Sequence, residues 1–190
     1  MTGEKTSDYI AWDDCPKVEE ALFNAKQYRI YCYLAIGRNL AIRAKDMMKL
    51  RWVDLLGDSI AITESKTGKT RKIHIAQETH RAVERAFEQL KAKPDEKIFK
   101  SSSKSGEMSS QYISKQLRYY AAPIVGWDKK ISTHTVRKTF GRHVYENAAD
   151  KTHALVMLNE IFQHSSLAIT RRYIGITAFE VEEIYKQLYK

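Results

Sequence analysis

Apolar residues recur at helical spacing along most of this chain, and the period changes once, within residues 53–75. Val18, Ala21, Leu22 and Ala25 stand at i, i+3, i+4 and i+7, which places them on one helix face. Asp14-Cys-Pro16 ahead of them supplies an acidic cap and a first-turn proline. Two more helices are expected, over 28–36 with a stop near Gly37, and over 43–50. Ser59-Ile-Ala-Ile-Thr63 and Lys72-Ile-His-Ile75 then alternate apolar and polar, the pattern of half-buried strands. Between them Glu64-Ser-Lys-Thr-Gly-Lys-Thr-Arg71 is polar with one glycine, which suits a hairpin turn. Helical spacing returns over 77–91, where Val83, Phe87 and Leu90 share a side. Residues 97–100 could add a short third strand.

Residues 101–110, SSSKSGEMSS, read as a surface loop, and helical patterning resumes over 111–121 before Pro123 and Gly126 break it. Four helices follow, at about 133–147, 152–162, 167–174 and 178–189. The expected fold is mainly α (α+β): helices around a small three-stranded antiparallel sheet. A length of 190 residues suits one domain, with 1–14 as a flexible N-terminal segment and 15–190 folded. The two cysteines, Cys15 and Cys32, have no metal-ligand spacing and form no disulfide framework, which fits a reducing cytoplasm. No signal peptide or membrane-length apolar run is visible. A net charge of +9 favours a polyanionic partner.

The residues that carry chemistry lie far apart. His134-Thr-Val-Arg137, then His164, then Tyr173 occupy the last third, and Arg43 and Lys66 precede them. A phosphodiester under attack gains negative charge on its non-bridging oxygens, which guanidinium forks can hold. The leaving sugar oxygen needs a proton, which a lysine or histidine can supply. A tyrosine becomes a nucleophile once neighbouring cations favour its phenolate. The ester formed conserves the bond energy, so religation needs no nucleotide hydrolysis.

Four segments resemble the tyrosine recombinases, the phage integrase family. They are Leu40-Ala-Ile-Arg-Ala-Lys-Asp-Met-Met-Lys-Leu-Arg-Trp52, the polar turn at 64–71, Ser132-Thr-His-Thr-Val-Arg-Lys-Thr-Phe140 and Phe162-Gln-His-Ser-Ser-Leu-Ala-Ile-Thr-Arg-Arg-Tyr173. The resemblance implies the catalytic-domain fold of that family and site-specific cleavage and rejoining of double-stranded DNA through a 3′-phosphotyrosine, without metal, ATP or other cofactor. It implies that Arg43 and Arg137 clamp the phosphate, that His134 bonds the phosphate and manages the tyrosine proton, and that His164 donates to a non-bridging oxygen. Lys66 would be the general acid, with Lys69 its rival, Tyr173 the nucleophile, and Asp46 would orient a catalytic partner. It further implies a tetramer on DNA, formed from monomers and coupled by the last helix, which could equally dock on its own domain. Phe162-Gln163 replaces the usual Leu-Gly, and Lys45 stands where a small cap is frequent. The chain has no room for the N-terminal DNA-clamping domain of many members. That suits an excised catalytic domain or a minimal recombinase such as the fimbrial phase-variation invertases.

Lys69, Arg71, Lys138, Arg171 and Arg172 are candidate DNA contacts, positioning the duplex without reading bases. The expected location is the cytoplasm, at the nucleoid. The stretch Thr63–Thr70 imitates a phosphate-binding loop but lacks the leading glycine and precedes a strand. His74, His80, His143 and His153 show no zinc spacing. The rival readings are a type IB topoisomerase and a DNA-binding module without catalysis.

Overall fold

The computed structural model describes residues 7–63, 65, 68–101 and 106–176, among which are eight α-helices and two strands. Lys66 and the helix expected at 178–189 lie outside the described residues. Helix α1 (Cys15–Asn24) buries Cys15, Val18 and Leu22, and Pro16 starts it. The Asp14 side chain does not cap it but pairs with Lys17 at 2.7 Å. Helix α2 (Tyr28–Leu40) is the central element, with ten of its residues buried. It packs against α1, α4 (Gln77–Leu90), α5 (Ser110–Val125) and α6 (Thr135–Asn147). An element enclosed on all sides carries little amphipathic signal, which is why its extent is hard to read from spacing.

Gly37 does not stop α2. A Cβ there would meet Val136 Cγ2 at 2.2 Å and Val136 Cβ at 2.7 Å, so the glycine is the contact between α2 and α6. The helix ends instead at Ala41, whose φ of 51° is left-handed. The following helix is shorter than expected: α3 (Ala44–Met47) has one turn, and Arg43 stands before it in extended backbone. Pro123 also lies inside α5, which ends at Gly126. Ala121 and Ala122 are buried just before the proline, and packing there keeps the helix on course for its last residues.

The sheet has two strands among the described residues, not three. β1 (Ser59–Thr63) and β2 (Thr70–His74) run antiparallel, with Ser59 opposite His74 and Thr63 opposite Thr70. Ile60 and Ile62 of β1 point to the core and Ala61 to solvent. Residues 97–100 make only isolated bridges, Lys97 with Arg51 and Lys100 with Glu107. Ile98 and Phe99 are both fully buried, whereas successive strand residues point to opposite faces.

Residues 7–14 are not a frayed tail. Ile10 is buried and its N–H donates to Thr139 Oγ1 of α6 at 3.0 Å. The Asp8 N–H donates to the Lys130 carbonyl at 2.9 Å, and the Lys130 N–H returns a bond to Asp8 Oδ2 at 2.7 Å.

Beyond α6 the chain forms α7 (Lys151–Phe162) and α8 (Leu167–Tyr173). Asp150 caps the first, accepting from Thr152 N and His153 N, and Ser166 caps the second, accepting from Ile169 N. Leu158, Phe162, Ile174 and Ala41 form a second apolar cluster under these two helices. Gly141 of α6 lies against it: a Cβ there would be 2.6 Å from Ile174 Cγ2 and 2.8 Å from the Phe162 ring. No helix among the described residues is long and apolar enough to cross a membrane.

The closeness of α2 and α6 sets the position of His134 and Arg137. Replacing Gly37 with Ala drives a methyl into a β-branched side chain that has little rotamer freedom. We expect Gly37→Ala to destabilise the fold by about 1–3 kcal/mol, read as a lower urea midpoint at unchanged slope. An unchanged midpoint would contradict the contact.

Candidate active site

Arg43, His134, Arg137, His164 and Tyr173 come from four segments and line one cleft of about 930 Å³. Each is delivered by an element end. Arg43 precedes α3, His134 and Arg137 lie at the start of α6, His164 follows α7, and Tyr173 closes α8. Side chains at element ends project past the packed helices and can converge on a shared opening.

Arg137 is buried, with 5% exposure. Its Nη1 donates to the Ala41 carbonyl, and its guanidinium carbon stands 4.6 Å from the centre of the Phe162 ring. Its Nη2 is buried with no hydrogen-bond partner among the described residues. Arg43 Nη2 donates to the Phe162 carbonyl at 2.7 Å. Arg71 Nη2 donates to the Ala41 carbonyl at 3.3 Å. Burial, with Arg43 and Arg71 adding to it, lowers the Arg137 pKa to about 10, so the group stays charged at neutral pH. Burial and then Arg43 also lower the Arg71 pKa.

Tyr173 lies beside Phe162 and His164, with ring centroids 5.2 Å and 5.0 Å away. Its phenol was expected to be shifted toward the phenolate by cations. The opposite holds: burial raises its pKa above the ordinary 10, although Arg137 and Arg43 both lower it. The desolvation of a phenolate outweighs the two neighbouring charges. His134 is shifted the other way, its pKa lowered below 6.5 by burial and then by Lys138 and Arg137. The cleft therefore pairs a protonated phenol with a neutral imidazole.

His164 is held by a short network. Its Nδ1 lies 3.0 Å from Thr170 Oγ1, and Thr170 Oγ1 donates to Asn159 Oδ1 at 2.8 Å. Asn159 Nδ2 donates to the His164 carbonyl at 3.1 Å. Asp46 is buried and accepts from Ser65 N at 3.1 Å and from Ser65 Oγ. It ties the hairpin turn, and hence the residue next to Lys66, to α3. Lys66 itself lies outside the described residues.

Two of the expected DNA contacts point inward. Arg71 faces Ala41, as above, and Lys138 is buried with Nζ on the Ser7 carbonyl at 2.6 Å and 5.3 Å from the Tyr173 ring centre. The sign of a charge carries no information on its direction, and both side chains sit on elements packed into the molecule. Lys69, Arg171 and Arg172 are exposed. Residues given no role from the sequence also shape the cleft: Ala41 and Phe162 supply carbonyls to the arginines, and Gln111 and Gln163 line the opening. A left-handed alanine leaves no trace in composition or spacing, whereas Phe162 was visible as an exchange for leucine. Among the described residues no group of three or more His, Cys, Asp or Glu could hold a metal.

The sequence matches the family described as Phage integrase family over residues 14–179. It is 37% identical over 172 residues to the probable integrase/recombinase YoeC of Bacillus subtilis, covering 90% of both chains. It is 27% identical over 151 residues to the tyrosine recombinase XerD of Chlorobaculum tepidum, covering 76% of this chain and 48% of that one. In fold it is similar to the crystal structure of XerA recombinase, with a TM-score of 0.69 at 20% identity, over 100% of this chain and 66% of the other. It is similar also to a lambda integrase dimer bound to a COC′ core site, with a TM-score of 0.64 at 17% identity, over 92% and 49%. The chain thus spans nine-tenths of the Bacillus relative but about half to two-thirds of these solved structures.

The pairing of titrations has a direct check. His134 should titrate below pH 6.5 in histidine NMR spectra. Lys138→Met removes one of the cations that disfavour the imidazolium, so the pKa should rise toward the ordinary value. A wild-type pKa above 6.5, or a fall in the variant, would contradict the arrangement.

Proposed function

This chain belongs to the phage integrase family of tyrosine recombinases, and we propose that it is a site-specific DNA recombinase acting through Tyr173. Cleavage and rejoining of DNA is the chemistry of that family. The observation that carries the reading for this chain is the convergence of Arg43, His134, Arg137, His164 and Tyr173 on one cleft from four parts of the sequence. A buried guanidinium nitrogen of Arg137 with no hydrogen-bond partner among the described residues suits an incoming phosphate oxygen.

In this reading the scissile phosphate sits between Arg43 and Arg137. The Tyr173 oxygen attacks phosphorus, the bond to the 5′-oxygen breaks, and a 3′-phosphotyrosine ester forms. Burial raises the phenol pKa, which favours loss of its proton to a neighbouring base during attack. Neutral His134 is the acceptor at hand in the cleft. Lys66 gives a proton to the departing 5′-oxygen, and Asp46 steadies the turn beside it. The reverse attack by a DNA hydroxyl restores the phenol and joins the strand. The two arginines supply the charge stabilisation that paired metal ions give elsewhere, so no step requires a metal or ATP.

Double-stranded DNA with a specific site is the proposed partner, consistent with the +9 charge. Lys69, Arg171 and Arg172 would contact its backbone. A tetramer assembled on DNA from free monomers, at the nucleoid in the cytoplasm, completes the proposal.

Two variants test it on a pool of nicked duplexes of random sequence, in the presence of EDTA. Wild-type protein should form a covalent protein–DNA adduct, and Tyr173→Phe should form none; an adduct in the variant would exclude Tyr173 as the nucleophile. Lys66→Ala should slow cleavage by about 10²-fold or more on ordinary DNA. It should slow it far less where sulfur replaces the leaving oxygen, since a thiolate leaves without a proton. Equal loss on both substrates would remove Lys66 from the general-acid role.

A further inference from the structure

We propose that Asn159 and Thr170 are positioning residues that hold His164 as its Nδ1–H tautomer, so that the ring can donate from Nε2 only when it is doubly protonated. The phosphate as ligand rests on the recombinase reading; the tautomer does not.

One line of hydrogen bonds leads to His164 from an end whose polarity is fixed. The His164 backbone carbonyl can only accept, so the Asn159 atom 3.1 Å from it is the amide nitrogen. That sets the amide orientation and turns Oδ1 toward Thr170 Oγ1, 2.8 Å away. An amide oxygen also only accepts, so the single hydroxyl proton of Thr170 is spent on it. Thr170 Oγ1 then meets His164 Nδ1 at 3.0 Å with nothing left to donate. The proton in that contact must come from Nδ1. A bare Nδ1 would set two lone pairs against each other at this contact or at the one before it. Thr170 is 0% exposed, so solvent cannot relieve the mismatch.

The network is well anchored. The His164 N–H donates to the Asn159 carbonyl at 3.1 Å, and the Thr170 N–H donates to the Ser166 carbonyl at 3.3 Å. The first bond holds the loop to the end of α7, and the second fixes Thr170 in the first turns of α8.

The consequence concerns the cleft, which His164 lines. In a neutral imidazole one nitrogen carries the proton and the other a lone pair. With Nδ1 protonated, Nε2 would turn a lone pair toward an anionic oxygen. A phosphate is then held by His164 only after the ring takes up a second proton. DNA binding is thereby coupled to proton uptake at this residue, and the two histidines of the cleft divide their tasks: His134 accepts a proton while His164 donates.

Nitrogen-15 NMR of the imidazole rings in the DNA-free protein, above the pH at which they titrate, reads the tautomer directly. His164→Gln identifies the signal by its loss. Wild type should show Nδ1 protonated and Nε2 bare. Thr170→Ser, which keeps the hydroxyl, should show the same. Thr170→Val removes the acceptor, and the Nε2–H form should gain population. A wild-type ring protonated on Nε2, or a Val variant indistinguishable from wild type, would overturn the proposal. If Thr170→Val fails to fold, the wild-type and Thr170→Ser spectra still decide. Because no DNA is present, the absence of a covalent adduct would defeat the recombinase reading and leave this result intact.

Discussion

The placement of Arg137 between the Ala41 carbonyl and the Phe162 ring is the constraint on which the rest depends. A guanidinium taken from water loses several kcal/mol of hydration unless bonds and charges offset it. Here one edge is bonded, one face lies on an aromatic ring, and one nitrogen has no protein partner among the described residues. The same two residues, Ala41 and Phe162, also take Arg71 and Arg43 through their carbonyls. Three cations thus lie close together on these two carbonyls, and Asp46 is a carboxylate that favours the charged state of Arg71 and Arg137. Clustered cations of that kind suit an anionic ligand. Cations already fixed in place stabilise developing charge at less cost than groups that must first reorient.

The packing explains why the arrangement persists. Ala41 lies at the left-handed end of the most buried helix, and Phe162 lies in the second apolar cluster. Gly37 and Gly141 permit α6 to approach both, one toward Val136 within α6 itself and one toward Phe162 and Ile174. Tyr173, the proposed nucleophile, stands on a seven-residue helix, α8, whose start is capped by Ser166 and whose interior is tied through Thr170 to Asn159. A helix so short has little stability of its own, so these few bonds set where Tyr173 points. The fold therefore acts on the chemistry through backbone carbonyls and caps as much as through the reactive side chains.

Much of this could be read from residue order, and the parts that could not share a cause. The hairpin and most helices follow from period, because alternation and 3.6-spacing report which face is buried. That Arg43, His134, Arg137, His164 and Tyr173 share a cleft was legible because arginine, histidine and tyrosine recur in one order. Gly37 and Pro123 misled because both are read as stops, while burial on the helix flank decided otherwise. The third strand failed because Ile98 and Phe99 are buried together. Charge alone made Arg71 and Lys138 candidate DNA contacts and said nothing of depth: Lys138 is buried, and Arg71 is half-buried against Ala41. The phenol of Tyr173 was judged by its cationic neighbours, and desolvation, which depends on depth, outweighed them. Ala41 and the Asn159–Thr170 pair gave no signal, since their roles come from backbone geometry and from contacts eleven residues apart.

The most direct test is a crystal structure of the protein with nicked DNA and vanadate, which mimics the five-coordinate phosphorus of the attack. The account predicts vanadium bonded to the Tyr173 oxygen, with Arg43 and Arg137 on its equatorial oxygens and the two histidines beside them. Vanadate bound elsewhere, or seated in the cleft with the phenol turned away and a different group on the metal, would contradict it.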